Sequence, residues 1–134
     1  MAFQIQGFTQ TQEVKGGTKL VKVREYHVLS LPSETYFQFR RPQPKWAAAN
    51  IKSIAKQLSD RIEAVLGLDD VVDVVYSQDT TAGGSLQDRM TTYYETPDGA
   101  ISGSVDQPLA SFGPGNTGAL ISAEIAAGGD SLGD

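Results

Sequence analysis

The sequence has 134 residues, no cysteine and a single histidine, His27. The lack of cysteine excludes disulfide bonds, thiolate metal sites and cysteine nucleophiles, and one histidine cannot supply a site that needs two imidazoles. No apolar run approaches the roughly 20 residues that a membrane-spanning helix requires. Residues 1–7 carry neither the basic nor the apolar segment of a signal peptide. We therefore expect a soluble protein that is made inside the cell and has no membrane partner.

Basic residues are almost missing from the second half of the chain, where Arg89 is the only one. Residues 1–67 hold ten basic and five acidic residues, whereas residues 68–134 hold one basic and eleven acidic residues. The net charge of −5 therefore divides into +5 and −10. Halves of opposite sign attract, either within one molecule or between neighbouring copies. Both arrangements remain open, and the second would build rings or extended arrays by head-to-tail contacts.

The first third of the chain has the alternation of strands. Residues 1–18 are polar, and we expect an extended arm that can add to the edge of a sheet, with three apolar anchors: Phe3, Ile5 and Phe8. A hairpin is predicted from strands at 19–29 and 35–41. The second strand places Phe37 and Phe39 on one face, and its polar residues on the other.

One long amphipathic helix is predicted from Pro44 to about Leu66, ended by Gly67. Its apolar residues recur at spacings of three and four and form one stripe that suits packing against a sheet. They are Ile51, Ile54, Ala55, Leu58, Ile62 and Val65. A second face of the helix is basic and holds Lys45, Lys52 and Lys56.

The second half of the sequence predicts three further strands, at 71–76, 88–95 and 100–105, with a flexible connection at 81–85. Residues 111–118 read as a loop, and residues 119–127 are suited to a short helix capped by Asn116 or Thr117. We expect a solvated, glycine-rich tail beyond it.

Together these elements predict an α+β fold, with a mainly antiparallel sheet and one long helix packed on it. An extended N-terminal arm at 1–18 and a glycine-rich extension at 109–134 flank a body at 19–108. The length of 134 residues suits a single domain, since domains most often have about 100–150 residues.

No catalytic, cofactor or metal site is expected from the motifs. His27 is the only side chain whose ordinary pKa lies near neutrality, and no nucleophile or second base stands at a motif spacing from it. The glycine-rich segment 113–118 lacks the lysine of a phosphate-binding P-loop. It also lacks the strand and crossover of a dinucleotide-binding unit.

Two charged clusters are predicted to be interaction surfaces. The basic cluster is Arg40, Arg41, Lys45, Lys52 and Lys56. Such a patch suits a nucleic-acid backbone or the carboxylates of a neighbouring protein, and the acidity of the whole chain favours the protein. The lysines are also consistent with the solvated face of an amphipathic helix. The acidic cluster is Asp69, Asp70 and Asp73. Carboxylates can hold calcium or magnesium, but the ligand alternation of an EF-hand is missing, so a solvated turn or a docking surface for basic residues is favoured.

The cysteine-free chain, with its arm at 9–17, its body around 51–65 and its tail at 113–134, resembles virion proteins of tailed bacteriophages. The resemblance implies a non-enzymatic subunit, either a capsid cement or decoration protein or a tail or baseplate protein. Its partners would be copies of itself and other proteins of the particle, held by exchanged arms and complementary charge. Its location would be the virion, after synthesis in the host cytoplasm. A small cytoplasmic ligand-binding module or enzyme subunit, with a site between helix and sheet, is the alternative.

Overall fold

The computed structural model describes residues 3–15, 19–80 and 86–128. The fold is α+β, and both halves of the chain run through three strands and then a helix. The elements are β1 (Phe3–Lys15), β2 (Lys19–Ser30), β3 (Thr35–Pro42), α1 (Ala48–Leu66), β4 (Val71–Thr80), β5 (Leu86–Glu95), β6 (Ser102–Pro108) and α2 (Pro114–Ala126). The predicted connection at 81–85, residues 16–18 of the predicted arm and residues 129–134 of the predicted tail lie outside the described residues.

The described strands form two antiparallel sheets, so the prediction of one sheet carrying one helix is wrong. Sheet A has the order β1-β2-β3, and sheet B has the order β4-β5-β6. The physical reason lies at the junction, where α1 separates β3 from β4 along the chain. Strands β3 and β4 are neighbours in space, but they are linked by a side chain and not by a ladder of backbone hydrogen bonds.

That side chain is Gln78 of β4, which contacts the backbone of Arg40 in β3. The backbone N–H of Arg40 donates to Gln78 Oε1 at 2.6 Å, while Gln78 Nε2 donates to Asp88 Oδ1 at 3.0 Å. The hydroxyl of Tyr76 donates to the same Asp88 oxygen at 2.6 Å. Burial, reinforced by this bond to a carboxylate, raises the pKa of Tyr76 far above its ordinary value. Gln78 is thus the polar link between the two sheets.

The N-terminal segment, predicted above as an extended arm, is the edge strand of sheet A. It pairs with β2 from Phe3 opposite Ser30 to Lys15 opposite Lys19, with a bulge between Ile5 and Gly7. Gly7 has a φ of 139°, a conformation that glycine adopts without strain. Pairing with β2 satisfies backbone groups that a free arm would leave to water.

The main core lies where α1 meets the inner faces of both sheets. The predicted stripe supplies Ile51, Ala55, Leu58, Ile62 and Val65, each at most 3% exposed. Sheet A adds Tyr26, Val28, Phe37 and Phe39, and sheet B adds Val74, Tyr76 and Met90. Burial of this one stripe therefore holds the two sheets together.

Helix α1 also fastens the β2–β3 turn through Glu63. The carboxylate accepts hydrogen bonds from the Ser33 backbone N–H at 3.0 Å, from Ser30 Oγ at 2.6 Å and from the hydroxyl of Ser33. Helix α1 begins at Ala48 rather than at Pro44. The indole of Trp46 donates to the Arg41 carbonyl at 2.8 Å, and the Lys45 N–H donates to the Pro42 carbonyl at 3.0 Å, so these bonds hold residues 42–46 in a turn.

The region from residue 109 to residue 128 contains a second helix, which corrects the expectation of a loop at 111–118. A 3₁₀ turn at Leu109–Ser111 precedes α2, which begins at Pro114. The buried Thr117 donates to Gln107 Oε1 at 2.9 Å and accepts from the Gly113 N–H at 3.2 Å. A smaller core of Tyr94, Val105 and Ile121 joins α2 to sheet B. These contacts order a segment whose sequence is rich in glycine.

Replacement of Leu58 by alanine should lower the free energy of unfolding by about 2–5 kcal/mol, because it leaves a cavity between α1 and the two sheets. Urea denaturation measures the effect. The exposed Ser53 of the same helix provides the control, since Ser53→Ala should change stability by less than about 0.5 kcal/mol. Equal effects of the two substitutions would contradict the assigned core.

Replacement of Gln78 by leucine should cost about 1–3 kcal/mol, because the Arg40 N–H then loses its partner at the junction of the sheets. Thermal unfolding followed by circular dichroism tests this. The matched control for Gln78→Leu is Gln38→Leu, because Gln38 is exposed on β3. An unchanged stability of the Gln78 variant would show that the link between the sheets is unimportant.

Candidate functional site

The outer face of sheet B is an acidic surface with an apolar centre. Side chains alternate along the strands, so Val74, Tyr76, Met90 and Tyr94 point into the core while their neighbours point outward. The outward carboxylates are Asp73, Asp79, Glu95 and Asp106, and we call this surface the acidic face. At its centre Val75 and Tyr93 are 43% and 42% exposed. The combination of exposed apolar groups and surrounding charge is typical of protein interfaces.

The three predicted acidic residues lie at the edge of the acidic face where β4 begins. Asp69 and Asp70 form the turn between α1 and β4, and the Asp70 carbonyl accepts from the Glu95 N–H at 2.8 Å. Asp73 is the first of the acidic face, and its Oδ1 accepts from the Val74 N–H at 2.9 Å. Within the described ranges, no group of three or more histidine, aspartate or glutamate residues is arranged to hold a metal ion.

The predicted basic cluster is divided among three places. Arg40 lies on the outer face of sheet A and forms an ion pair with Glu13. Arg41, its neighbour along β3, points to the other side, with its guanidinium 5.3 Å from the Phe39 ring centroid. Adjacent residues of a strand point to opposite faces, which explains the separation.

The exposed lysines of this cluster lie along α1 and just before it. Lys52 and Lys56 lie on an exposed flank of the helix, and we call this flank the basic face. Lys45 is also exposed and precedes the helix. Lys56 Nζ lies 2.7 Å from Asp60 Oδ2, one helical turn further on, whereas Lys52 lines a groove.

The predicted anchors Phe3 and Ile5 line the same groove as Lys52. The groove has a volume of about 670 Å³ and also includes Gln4 and Gln6 of the edge strand β1. Phe3 and Ile5 are partly buried and pack against the main core. The sequence placed these residues in separate predicted elements, and the structure brings them together because α1 packs beside β1.

The third anchor, Phe8, belongs to a different group of rings. It is exposed and lies 5.5 Å from the ring of Tyr26. The guanidinium of Arg24 lies 4.1 Å from the Phe8 ring and 4.1 Å from the Trp46 ring. The sequence does not predict that Arg24 stacks on two rings, because Phe8 and Trp46 lie far apart along the chain.

The β1–β2 hairpin extends beyond β3, a feature that the sequence did not reveal. Strand β3 ends at Pro42, opposite Val23, whereas β1 and β2 continue to pair as far as Lys15 and Lys19. On this two-stranded extension, Val14 and Leu20 face each other and are 61% and 63% exposed. We call residues 13–15 and 19–21 the hairpin tip.

The described residues form three ion pairs, each within one half of the chain. Arg40–Glu13 and Lys56–Asp60 belong to the first half, and Arg89–Asp106 belongs to the second. Helix α1 lies on the inner side of sheet B, so the lysines of the basic face cannot reach the acidic face of their own molecule. The charge division of the sequence therefore persists on the folded surface.

His27 lies on the outer face of sheet A, away from α1. Its Nδ1 forms a hydrogen bond with the Tyr36 hydroxyl, and the two rings are stacked with their centroids 5.9 Å apart. Tyr36 lies diagonally across from His27 on the adjacent strand β3, where Gln38 is the direct partner of His27. The histidine is therefore not part of a space between helix and sheet.

No family model, curated protein or solved structure matches the chain. No helix of the described residues combines the length and the apolar character needed to cross a bilayer. The function must therefore be inferred from the surfaces described above.

The carboxylate of Asp98, in the β5–β6 turn, should titrate below its usual range. The Thr96 hydroxyl, at 2.6 Å, is the main cause of its lowered pKa, and the Ala100 N–H adds to it. The lowered pKa stabilises the turn above the ordinary pKa of aspartate, and this stabilisation is lost as the pH falls through the folded pKa. Thr96→Val should move the pKa of Asp98 toward its ordinary value, as measured by NMR titration. Asp106 is the control, and an unchanged pKa of Asp98 would exclude Thr96 as the cause.

Proposed function

We propose that this protein is a non-enzymatic structural subunit that associates head-to-tail, with the basic face of one copy against the acidic face of the next. The observation that carries the proposal is that the three ion pairs of the described residues each lie within one half of the chain. Opposite charges remain on surfaces that cannot meet within one molecule. Contact between copies neutralises them, and a heterologous contact of this kind repeats from copy to copy.

The apolar centre of the acidic face gives this contact more than charge. Exposed ion pairs contribute only about 0.2–1 kcal/mol each, so a few lysine–carboxylate pairs alone would not hold an assembly together. Burial of Val75 and Tyr93 would add a hydrophobic contribution, and tyrosine is common among the residues that dominate binding energy. Charge would then orient the copies while the apolar centre stabilises the contact.

The hairpin tip supports a second contact in the same assembly. Val14 and Leu20 form an exposed apolar pair on a ribbon that extends past the body. Strand β1 lies at one edge of sheet A, and β6 lies at one edge of sheet B, so both sheets also present strand edges for pairing. The exchanged element in this proposal is a hairpin, in place of a free arm.

Within this class, we favour a virion component of a tailed bacteriophage, either a capsid cement or decoration protein or a tail or baseplate protein. The resemblance of the sequence to such proteins and the opposite charged faces both support this assignment. Partners are further copies and other proteins of the particle. Nucleic acid is not a proposed partner, because the acidic face repels phosphates.

The proposal is tested by reversing each face separately. Lys52→Glu with Lys56→Glu makes both faces acidic, and Asp73→Lys with Glu95→Lys makes both faces basic. Sedimentation velocity at low salt should show weaker self-association for each double variant than for the unmodified chain. An equimolar mixture of the two variants should associate again, because each then offers the charge that the other lacks.

Two controls accompany this experiment. Glu124→Lys has the same charge change as Asp73→Lys but lies on α2, which packs on the side of sheet B opposite the acidic face, so it should affect association less. Raising the salt concentration should weaken association, since the Debye length falls from about 10 Å at 0.1 M to about 3 Å at 1 M. Failure of the mixture to associate, or a chain that stays monomeric at all concentrations, would contradict the proposal.

A further inference from the structure

A small cavity lies between α1 and the 3₁₀ turn that follows β6. It has a volume of about 130 Å³, well above the roughly 10–15 Å³ that one water requires in the same measure. Its lining residues are Arg41, Ile54, Gln57, Leu58, Arg61 and Leu109. Three of these side chains are aliphatic, and the other three carry nitrogen donors.

Two guanidinium groups share this cavity without a carboxylate. Neither Arg41 nor Arg61 takes part in an ion pair among the described residues. Like charges that share one wall repel each other, and an anion between them removes the repulsion.

Each guanidinium donates to a backbone carbonyl, and that of Arg41 also forms a hydrogen bond with the Tyr76 hydroxyl. Arg61 Nη1 donates to the Leu109 carbonyl at 3.0 Å, and Arg41 Nη1 donates to the Arg40 carbonyl at 2.8 Å. A guanidinium has five N–H donors, so several remain on each group for a ligand. The amide of Gln57 lies on the same wall. The cavity thus combines positioned donors with positive charge.

We propose that this cavity binds a small aliphatic carboxylate. The planar guanidiniums match the geometry of a carboxylate and can donate two parallel hydrogen bonds to it. Ile54, Leu58 and Leu109 provide an apolar wall for a short branched stem. The carboxylate belongs either to a free acid or to an acidic side chain of a neighbouring molecule, and the chemistry of recognition is the same for both. The site itself does not depend on the proposed assembly.

The test uses isovalerate as the probe and isovaleramide as its neutral counterpart. Titration into the isotope-labelled full chain, at fixed ionic strength and under conditions where it is monomeric, should give saturable NMR shifts at Arg41, Gln57 and Arg61 at millimolar isovalerate. The amide should give none. Absence of saturation, or equal binding of the amide, would overturn the proposal.

Substitutions separate this site from general attraction between charges. Arg61→Gln should weaken isovalerate binding about tenfold or more, because a charge-assisted contact is lost. Lys56→Gln removes one positive charge from the same helix outside the cavity and should change the affinity by less than about twofold. Arg41→Gln provides a second variant if Arg61→Gln unfolds. Equal effects of Lys56→Gln and the arginine variants would contradict a defined site.

A last arm of the experiment identifies the source of the carboxylate. Isovalerate is added to the self-associated protein at low salt, with isovaleramide in parallel. Dissociation by the acid alone assigns the site to an acidic side chain of the neighbouring copy. Unchanged association together with saturable binding assigns it to a free acid. Either result supports the site, and failure of self-association would not affect the titration of the monomer.

Discussion

Burial of the apolar stripe on α1 is the interaction on which the rest of the structure depends. The stripe packs against the inner faces of sheet A and sheet B at once, so it joins two sheets that share no backbone ladder among their described residues. Because both inner faces are covered by the same helix, the outer face of sheet B is left to solvent with its carboxylates. The same packing turns the flank with Lys52 and Lys56 away from that face. The separation of charge is therefore a consequence of how the core is built.

Separation of charge alone would be a weak basis for assembly. Salt screens exposed charges, and each exposed pair contributes little. The exposed Val75 and Tyr93 at the centre of the acidic face, and the exposed Val14 and Leu20 on the hairpin tip, supply apolar area next to the charges. Charge then sets which surfaces meet, and apolar burial gives the contact its persistence. The cavity with Arg41 and Arg61 involves different side chains of α1, Ile54, Gln57, Leu58 and Arg61, together with Leu109 of the 3₁₀ turn.

Local patterns predicted the parts of the fold that depend on local periodicity. The spacing of Ile51, Ala55 and Leu58 predicted the buried stripe, because a helix repeats every 3.6 residues whatever it packs against. Alternation predicted the inward Phe37 and Phe39.

The division into two sheets could not be predicted, because it depends on Gln78 reaching the backbone of Arg40, a contact between residues far apart in sequence. The start of α2 likewise depends on Thr117 and Gln107. The polar sequence at 3–15 fits an extended arm and an edge strand equally well, because both leave one side of the backbone exposed to water. Alternation within a strand places the side chains of Arg40 and Arg41 on opposite faces of β3. Their adjacency in the sequence nevertheless suggested a single basic cluster.

Zero-length cross-linking tests the head-to-tail contact most directly. An equal mixture of ¹⁴N- and ¹⁵N-labelled protein is treated with a carbodiimide at low salt, and the joined peptides are identified by mass spectrometry. The account predicts peptides that join Lys52 or Lys56 to Asp73 or Glu95, with mixed-isotope pairs as frequent as single-isotope pairs, because these lysines cannot reach the acidic face of their own molecule. Cross-links between these residues that occur only as single-isotope pairs, or no cross-links between the two faces at all, would contradict it.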